Sequence, residues 1–166
     1  MHMRRSEREV TGMDQWSAIL SQAEVGHLGM VDDEGVYVVP LSFAHEVRGA
    51  DAVTIYVHGA GAGRKVSAIT AHPERRVCFE AEVRHATTGL GSDKVCDVGV
   101  WFESVIGWGQ ARLVTDPAEA RRGLVAVAEK YAPGRGGQVP DPVPAWVTML
   151  AFDLDELTGK RREPVG

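Results

Sequence analysis

The order of strand-like and helix-like runs constrains this chain more than any other feature. Six runs concentrate apolar residues at the two-residue period of a strand, at about residues 25–31, 36–44, 52–58, 76–83, 98–114 and 146–154. Only three helical patterns fall among them, at irregular intervals. Repeated βαβ units would need a helix after every strand, so a doubly wound parallel sheet is disfavoured. A mainly β fold with added helices (α+β), a six-stranded antiparallel barrel with helices packed outside, accommodates the order. A barrel removes open sheet edges, and a small one is filled by its own side chains. A large ligand therefore belongs on the outer wall or between subunits.

Local signals refine the elements. Asp14 is placed to cap a first helix carrying Trp16, Ile19, Leu20 and Ala23, with Gly26 as its stop. Asp32-Asp33-Glu34-Gly35 turns one strand into the next, and Pro40, which cannot donate a ladder hydrogen bond, predicts a bulge or a strand edge. A helix with Val66 and Ile69 ends at His72-Pro73. The alternation at 76–83 sets Val77, Phe79 and Ala81 on one face and Cys78 and Glu80 on the other. The polar stretch 84–97 predicts a loop, and Gly107 and Gly109 predict a bend or bulge. Asp116-Pro117 opens a third helix, to about Tyr131, with Leu124, Val127 and Ala128 inward. A Gly/Pro-rich loop at 133–144 precedes the last strand. Residues 1–13 read as a charged arm and 158–166 as a basic tail.

The 166 residues predict a single domain, 1–166. With 18 basic against 23 acidic residues, net charge −5, broad electrostatic capture of nucleic acid or of an anionic membrane is not expected. Any anion must be caught locally. No apolar run approaches the roughly 18–20 residues of a membrane span, and the charged N-terminal stretch is unlike a signal peptide, so the expected location is the cytoplasm. Cys78 and Cys96 lack the spacing of a zinc site or disulfide framework and read as buried free thiols. His27, His45, His72 and His85 carry no metal-ligand spacing and read as surface or structural residues, so no metal site is expected.

The segment with chemical content is Tyr56-Val57-His58-Gly59-Ala60-Gly61-Ala62-Gly63-Arg64-Lys65. A strand, a turn of small residues and a helix start with two adjacent cations make a coherent anion site. Backbone N–H groups can approach the ligand, the helix N-terminus carries partial positive charge, and Arg64 can fork two oxygens. Both the dinucleotide fingerprint and the P-loop require glycine where Arg64 stands, so the segment is neither. Flexible-turn glycines before a solvated basic helix face remain an equal reading of the same residues.

Several segments together resemble the 5-nitroimidazole resistance proteins, members of the pyridoxamine 5′-phosphate oxidase-like, FMN-binding split-barrel superfamily. They are Met3-Arg4-Arg5-Ser6-Glu7-Arg8-Glu9, Tyr37-Val38-Val39-Pro40-Leu41-Ser42-Phe43, His58-Gly59-Ala60 with Gly63-Arg64-Lys65, Arg76-Val77-Cys78-Phe79-Glu80, Ser104-Val105-Ile106-Gly107-Trp108-Gly109 and Thr158-Gly159-Lys160-Arg161. The resemblance runs through nearly the whole chain in order. It implies a homodimer of split barrels with FMN at the subunit interface and a small aromatic substrate. By position, Arg64 and Lys65 would hold the phosphate, with Gly59, Ala60 and Gly63 in the turn. Val39, Pro40, Leu41 and Ser42 would lie along the isoalloxazine through their backbone, and Ser104 would touch the ligand. Loss of Arg64 would then weaken FMN binding by roughly tenfold to a hundredfold.

The resemblance sets His58 beside flavin and substrate as the catalytic residue, a role its proton chemistry near neutrality suits; the alternative is a histidine hydrogen-bonded to the turn. Trp101-Phe102-Glu103 stands before Ser104 where the family more often has an aromatic and an arginine. Trp101 and Trp108 read either as core or as stacking partners across the interface. The implied activity is reduction of small nitroaromatic compounds. The same barrel also serves haem binding, a non-catalytic flavin module, or a deazaflavin (F420)-dependent reductase, the last in keeping with 14 Arg against 4 Lys.

Overall fold

Residues 4–163 are described by a computed structural model. The outermost parts of the expected arm and tail, residues 1–3 and 164–166, lie outside the described residues. The strands are β1 (Glu9–Val10), β2 (Gly26–Asp32), β3 (Gly35–Leu41), β4 (Ala44–Val47), β5 (Val53–Gly59), β6 (Arg76–Thr88), β7 (Gly99–Leu113) and β8 (Thr148–Arg162). The helices are α1 (Met13–Gln22), α2 (Arg64–Ala71) and α3 (Pro117–Tyr131).

All strand pairs are antiparallel, in the order β3-β2-β6-β7-β8-β5-β4, with β1 added on β8. The two ends of that path, β3 and β4, are joined only by Ser42-Phe43, so the sheet curls without closing: a split barrel. Phe43 explains why the expected 36–44 strand divides there. Its ring is fully buried, 5.0 Å edge-on to Phe79, and its N–H donates to Tyr131 Oη (2.9 Å). That anchor carries the chain from one rim of the sheet to the other and adds one strand to the expected six; β1 makes the eighth among the described residues.

Alternation along each strand sends one set of side chains inside. Leu28, Ile55, Val57, Phe79, Ala81, Val105, Leu150 and Phe152 make the main core with Ile19 and Leu20 of α1. A second cluster, Ala44, Tyr56, Val127, Met149 and Ala151, lies under α3 on the other side of β5. Leu124 packs against it.

Several local expectations are corrected. The cap of α1 is Gly12, with Asp14 already inside the helix, and α1 ends before Gly26. Gly26 instead opens β2 where a Cβ would collide with the Phe79 ring. The 84–97 loop shrinks because β6 runs on to Thr88 after a register shift between Arg84 and Ala86. The last strand starts at Thr148 and absorbs the tail through Arg162, while the arm supplies β1, with Val10 opposite Gly159. Trp16 locks that pairing, its indole N–H donating to the Val10 carbonyl (2.8 Å). The predicted irregularity near Gly107 and Gly109 is a register shift between Trp108 and Gly109. Pro40 lies, as predicted, on an edge strand, since among the described residues β3 pairs with β2 alone. The buried-thiol reading fails for Cys96, which is exposed; Cys78 is half-buried, and both are free.

Candidate functional site

The site grows from the end of β5. Val53, Ile55 and Val57 point into the main core, so Thr54, Tyr56 and His58 share the opposite face. Thr54 and Tyr56 are buried, whereas His58, opposite Met149 of β8, is exposed. Among the described residues its imidazole makes no hydrogen bond or ion pair, so the turn does not hold it. The turn from Gly59 to Gly63 delivers the chain to α2. Gly63 is the N-cap with φ +124°, a conformation that favours glycine, and no side chain caps the helix.

The first turn of α2 has Arg64 and Lys65 and no acid. Cations there oppose the helix dipole, which favours negative charge at an N-terminus. The two resolve the conflict differently. Arg64 turns toward the β2–β3 turn, where Nε donates to Asp32 Oδ2 (2.6 Å) and Nη2 to Asp32 Oδ1 (2.9 Å). Glu34 lies 3.4 Å from Nη1, and the guanidinium carbon stacks 4.6 Å over the Tyr37 ring. The Asp32 carboxyl, hydrogen-bonded by Arg64 against a smaller opposing effect of burial, is held down at about 2. The expected fork of Arg64 toward a ligand is thus largely engaged by its own chain. Lys65 makes no ion pair or hydrogen bond among the described residues. Its Nζ lies over the turn, 3.4 Å from the place a Cβ would take on Gly59.

Further contacts fasten α2 and the segment after it to the same turn: His72 Nε2 and Asp33 Oδ1 are 3.0 Å apart, and Arg75 Nη1 donates to the Val31 carbonyl (3.2 Å). The structure thereby brings together the edge strand β3, the glycine turn and the start of α2. Along β3, Tyr37, Val39 and Leu41 pack against the core, while Pro40 and, beyond the strand, Ser42 are exposed. What this edge offers a flat ligand is therefore its unpaired backbone. Ser104 is not part of the assembly within one chain. It stands on β7 between Glu82 and Lys160, with β2 and β6 separating β7 from β3.

Two features escaped sequence reasoning. Asp32 was legible only as a turn residue, since nothing in its spacing announces Arg64. The other is Glu103, buried, with Oε2 2.9 Å from His85 Nε2 and Oε1 accepting from Arg161 Nε (2.6 Å). His85 also stacks on Trp101 at 4.4 Å, so that tryptophan's aromatic partner lies within its own chain. Trp108, half-buried, faces outward with Ile106, Cys78 and Gly29, beside exposed Val31, Val36 (79%) and Val38 (58%). That sheet face has no covering element among the described residues. None of the described His, Cys, Asp and Glu residues form a group of three or more placed to hold a metal ion. No described helix is long and apolar enough to cross a membrane.

Fold and site geometry define a split-barrel protein in which two cations at the start of α2 stand beside a glycine turn and a sheet edge. Residues 13–161 match the family model for pyridoxamine 5′-phosphate oxidase, and the chain belongs to that family. A search of curated proteins found no match. Among solved structures, the chain is similar to a candidate 5-nitroimidazole antibiotic resistance protein from Bacteroides thetaiotaomicron, with 25% identity, TM-score 0.73, and 92% of this chain and 85% of that one covered. A flavocytochrome from Azotobacter vinelandii matches at 23% identity and TM-score 0.77, covering 98% of this chain and 74% of that one. An FAD- and haem-binding protein from Mycobacterium smegmatis matches at 17% and 0.72, covering 96% and 76%. The last two show the shared fold.

Proposed function

We propose that this protein binds FMN at the α2 corner and reduces small nitroaromatic compounds. The observation that carries the reading is Lys65: a cation without a carboxylate partner among the described residues, at the uncapped start of a helix and over a turn of small residues. That arrangement suits a phosphate. Lys65 and the backbone of the turn would hold it, and the open backbone edge from Val39 to Ser42 would line the ring. Bound flavin would supply electron transfer. Taking a nitro group to nitroso consumes two electrons and two protons and releases water, with reduced nicotinamide as the electron source. His58, exposed beside the turn, is suited to orient the substrate and deliver a proton from an imidazole nitrogen. The similarity to the Bacteroides protein at 25% identity supports the substrate class.

The uncovered face bearing Val36, Val38, Ile106 and Trp108 supports a homodimer in which the partner completes the site, the arrangement under which Ser104 would reach a ligand. The test is the visible spectrum of the purified protein reconstituted with FMN, followed anaerobically through addition of reduced nicotinamide cofactor and then a nitroimidazole. Bleaching followed by reoxidation is expected. Tight binding of deazaflavin without FMN, or a Soret band on adding haem with no flavin bound, would replace this reading. In the same assay His58→Ala is expected to retain FMN and lose turnover.

A further inference from the structure

Among the described arginines, Arg64 stands out by position, at the first residue of the helix that the proposed phosphate site uses. Its partner Asp32 comes from a different element, the end of β2, and only a tenth of that side chain is exposed. Asp32 is itself fixed, because the Glu34 N–H donates to its Oδ1 (2.9 Å) across the turn. The pairing uses Nε and one Nη2 hydrogen of the guanidinium. Of the five N–H donors of an arginine, one on Nη2 and two on Nη1 make no hydrogen bond to Asp32, with the exposed Glu34 carboxylate 3.4 Å from Nη1. The Tyr37 ring under the guanidinium fixes its plane as well. An arginine held along one edge by a carboxylate and across its face by an aromatic ring has lost its rotamer freedom before any ligand arrives.

We propose that Asp32 is a positioning residue for phosphate recognition: it locks Arg64 against β3 so that the remaining Nη donors assist Lys65 at the start of α2. The inference rests on the FMN reading above and adds to it a residue from outside the glycine turn. Asp32→Asn is the discriminating substitution, because its side-chain oxygen can still accept from Glu34 N–H and keep the turn while the charge that grips Arg64 is gone.

The experiment measures dissociation constants for FMN and for riboflavin, which lacks the phosphate, in the wild type, Asp32→Asn, Arg64→Met and the double variant, with thermal midpoints recorded alongside. The expected result is a loss of FMN affinity of about fivefold to twentyfold in Asp32→Asn, with riboflavin affinity unchanged and no further loss when Arg64 is already Met. Asp32→Glu is expected to recover part of the affinity. Tighter FMN binding in Asp32→Asn would overturn the proposal by making Asp32 a competitor of the phosphate. Equal loss for FMN and riboflavin would overturn it by making Asp32 merely structural. A wild type that does not distinguish FMN from riboflavin would remove the phosphate site itself and the proposal with it.

Discussion

Helices α2 and α3 begin in opposite ways. At α3, Asp116 caps the helix, its carboxylate accepting from the Ala118 and Glu119 N–H groups, Pro117 follows, and Glu119 adds negative charge in the first turn. Glu119 is then gripped by both Nη atoms of Arg112 (3.0 and 2.7 Å), which reaches Asp153 as well (2.6 Å). Each device favours the helix, and together they bind α3 to the sheet. At α2 the cap is a glycine, the first turn has no acid, and two cations occupy the end where the dipole disfavours them. One is neutralised by Asp32 of β2, and the other has no carboxylate partner among the described residues. A terminus built for stability completes its own charges; in the function proposed above, the incomplete terminus of α2 is the one that takes the ligand's charge.

That contrast breaks most visibly at α3. Glu119→Ala is expected to cost about 2–3 kcal/mol of folding stability, the worth of charge-assisted hydrogen bonds to a mostly buried carboxylate. For a chain of this size that lowers the thermal midpoint by roughly 4–12 °C, with FMN affinity unchanged. Acid probes the same contact. Hydrogen bonding from Arg112 lowers the Glu119 carboxyl to about 2, against 4.5 ordinarily, so its stabilisation is present above about 4.5 and is lost as pH falls toward 2. A Glu119→Gln variant should therefore show a shallower stability loss across that window in chemical denaturation at stepped pH. At α2 the pattern inverts. Lys65→Met is expected to weaken FMN by roughly tenfold to a hundredfold in a fluorescence titration while leaving the thermal midpoint in place. The smallest effect belongs to the cap: Asp116→Ala should cost about 1 kcal/mol, a shift of roughly 2–4 °C, with no change in flavin binding.

The two termini also differ in how far they could be read from sequence. Asp116-Pro117 is a local signal, complete within three residues, and the helix it announces is present to the expected end. The glycine turn and its two cations were equally legible, because they too are contiguous. What sequence could not show is where Arg64 turns. Its partner Asp32 is 32 residues away, and the pairing exists only because β2 and α2 are fastened together in three dimensions. The same non-locality hid the buried Glu103 between His85 and Arg161, and the return of the N-terminal arm onto β8, where Val10 meets Gly159. The antiparallel architecture was visible through the two-residue period. The break at Ser42-Phe43 was not, since it depends on a tyrosine of α3 accepting the Phe43 N–H.

The central claim is that the start of α2 receives a phosphate. A crystal structure of the FMN-reconstituted protein tests it most directly. The phosphate is predicted within hydrogen-bonding distance of Lys65 Nζ and of backbone N–H groups in the first turn of α2, with Asp32 still paired to Arg64. A phosphate bound away from this helix, with Lys65 directed into solvent, would contradict the account.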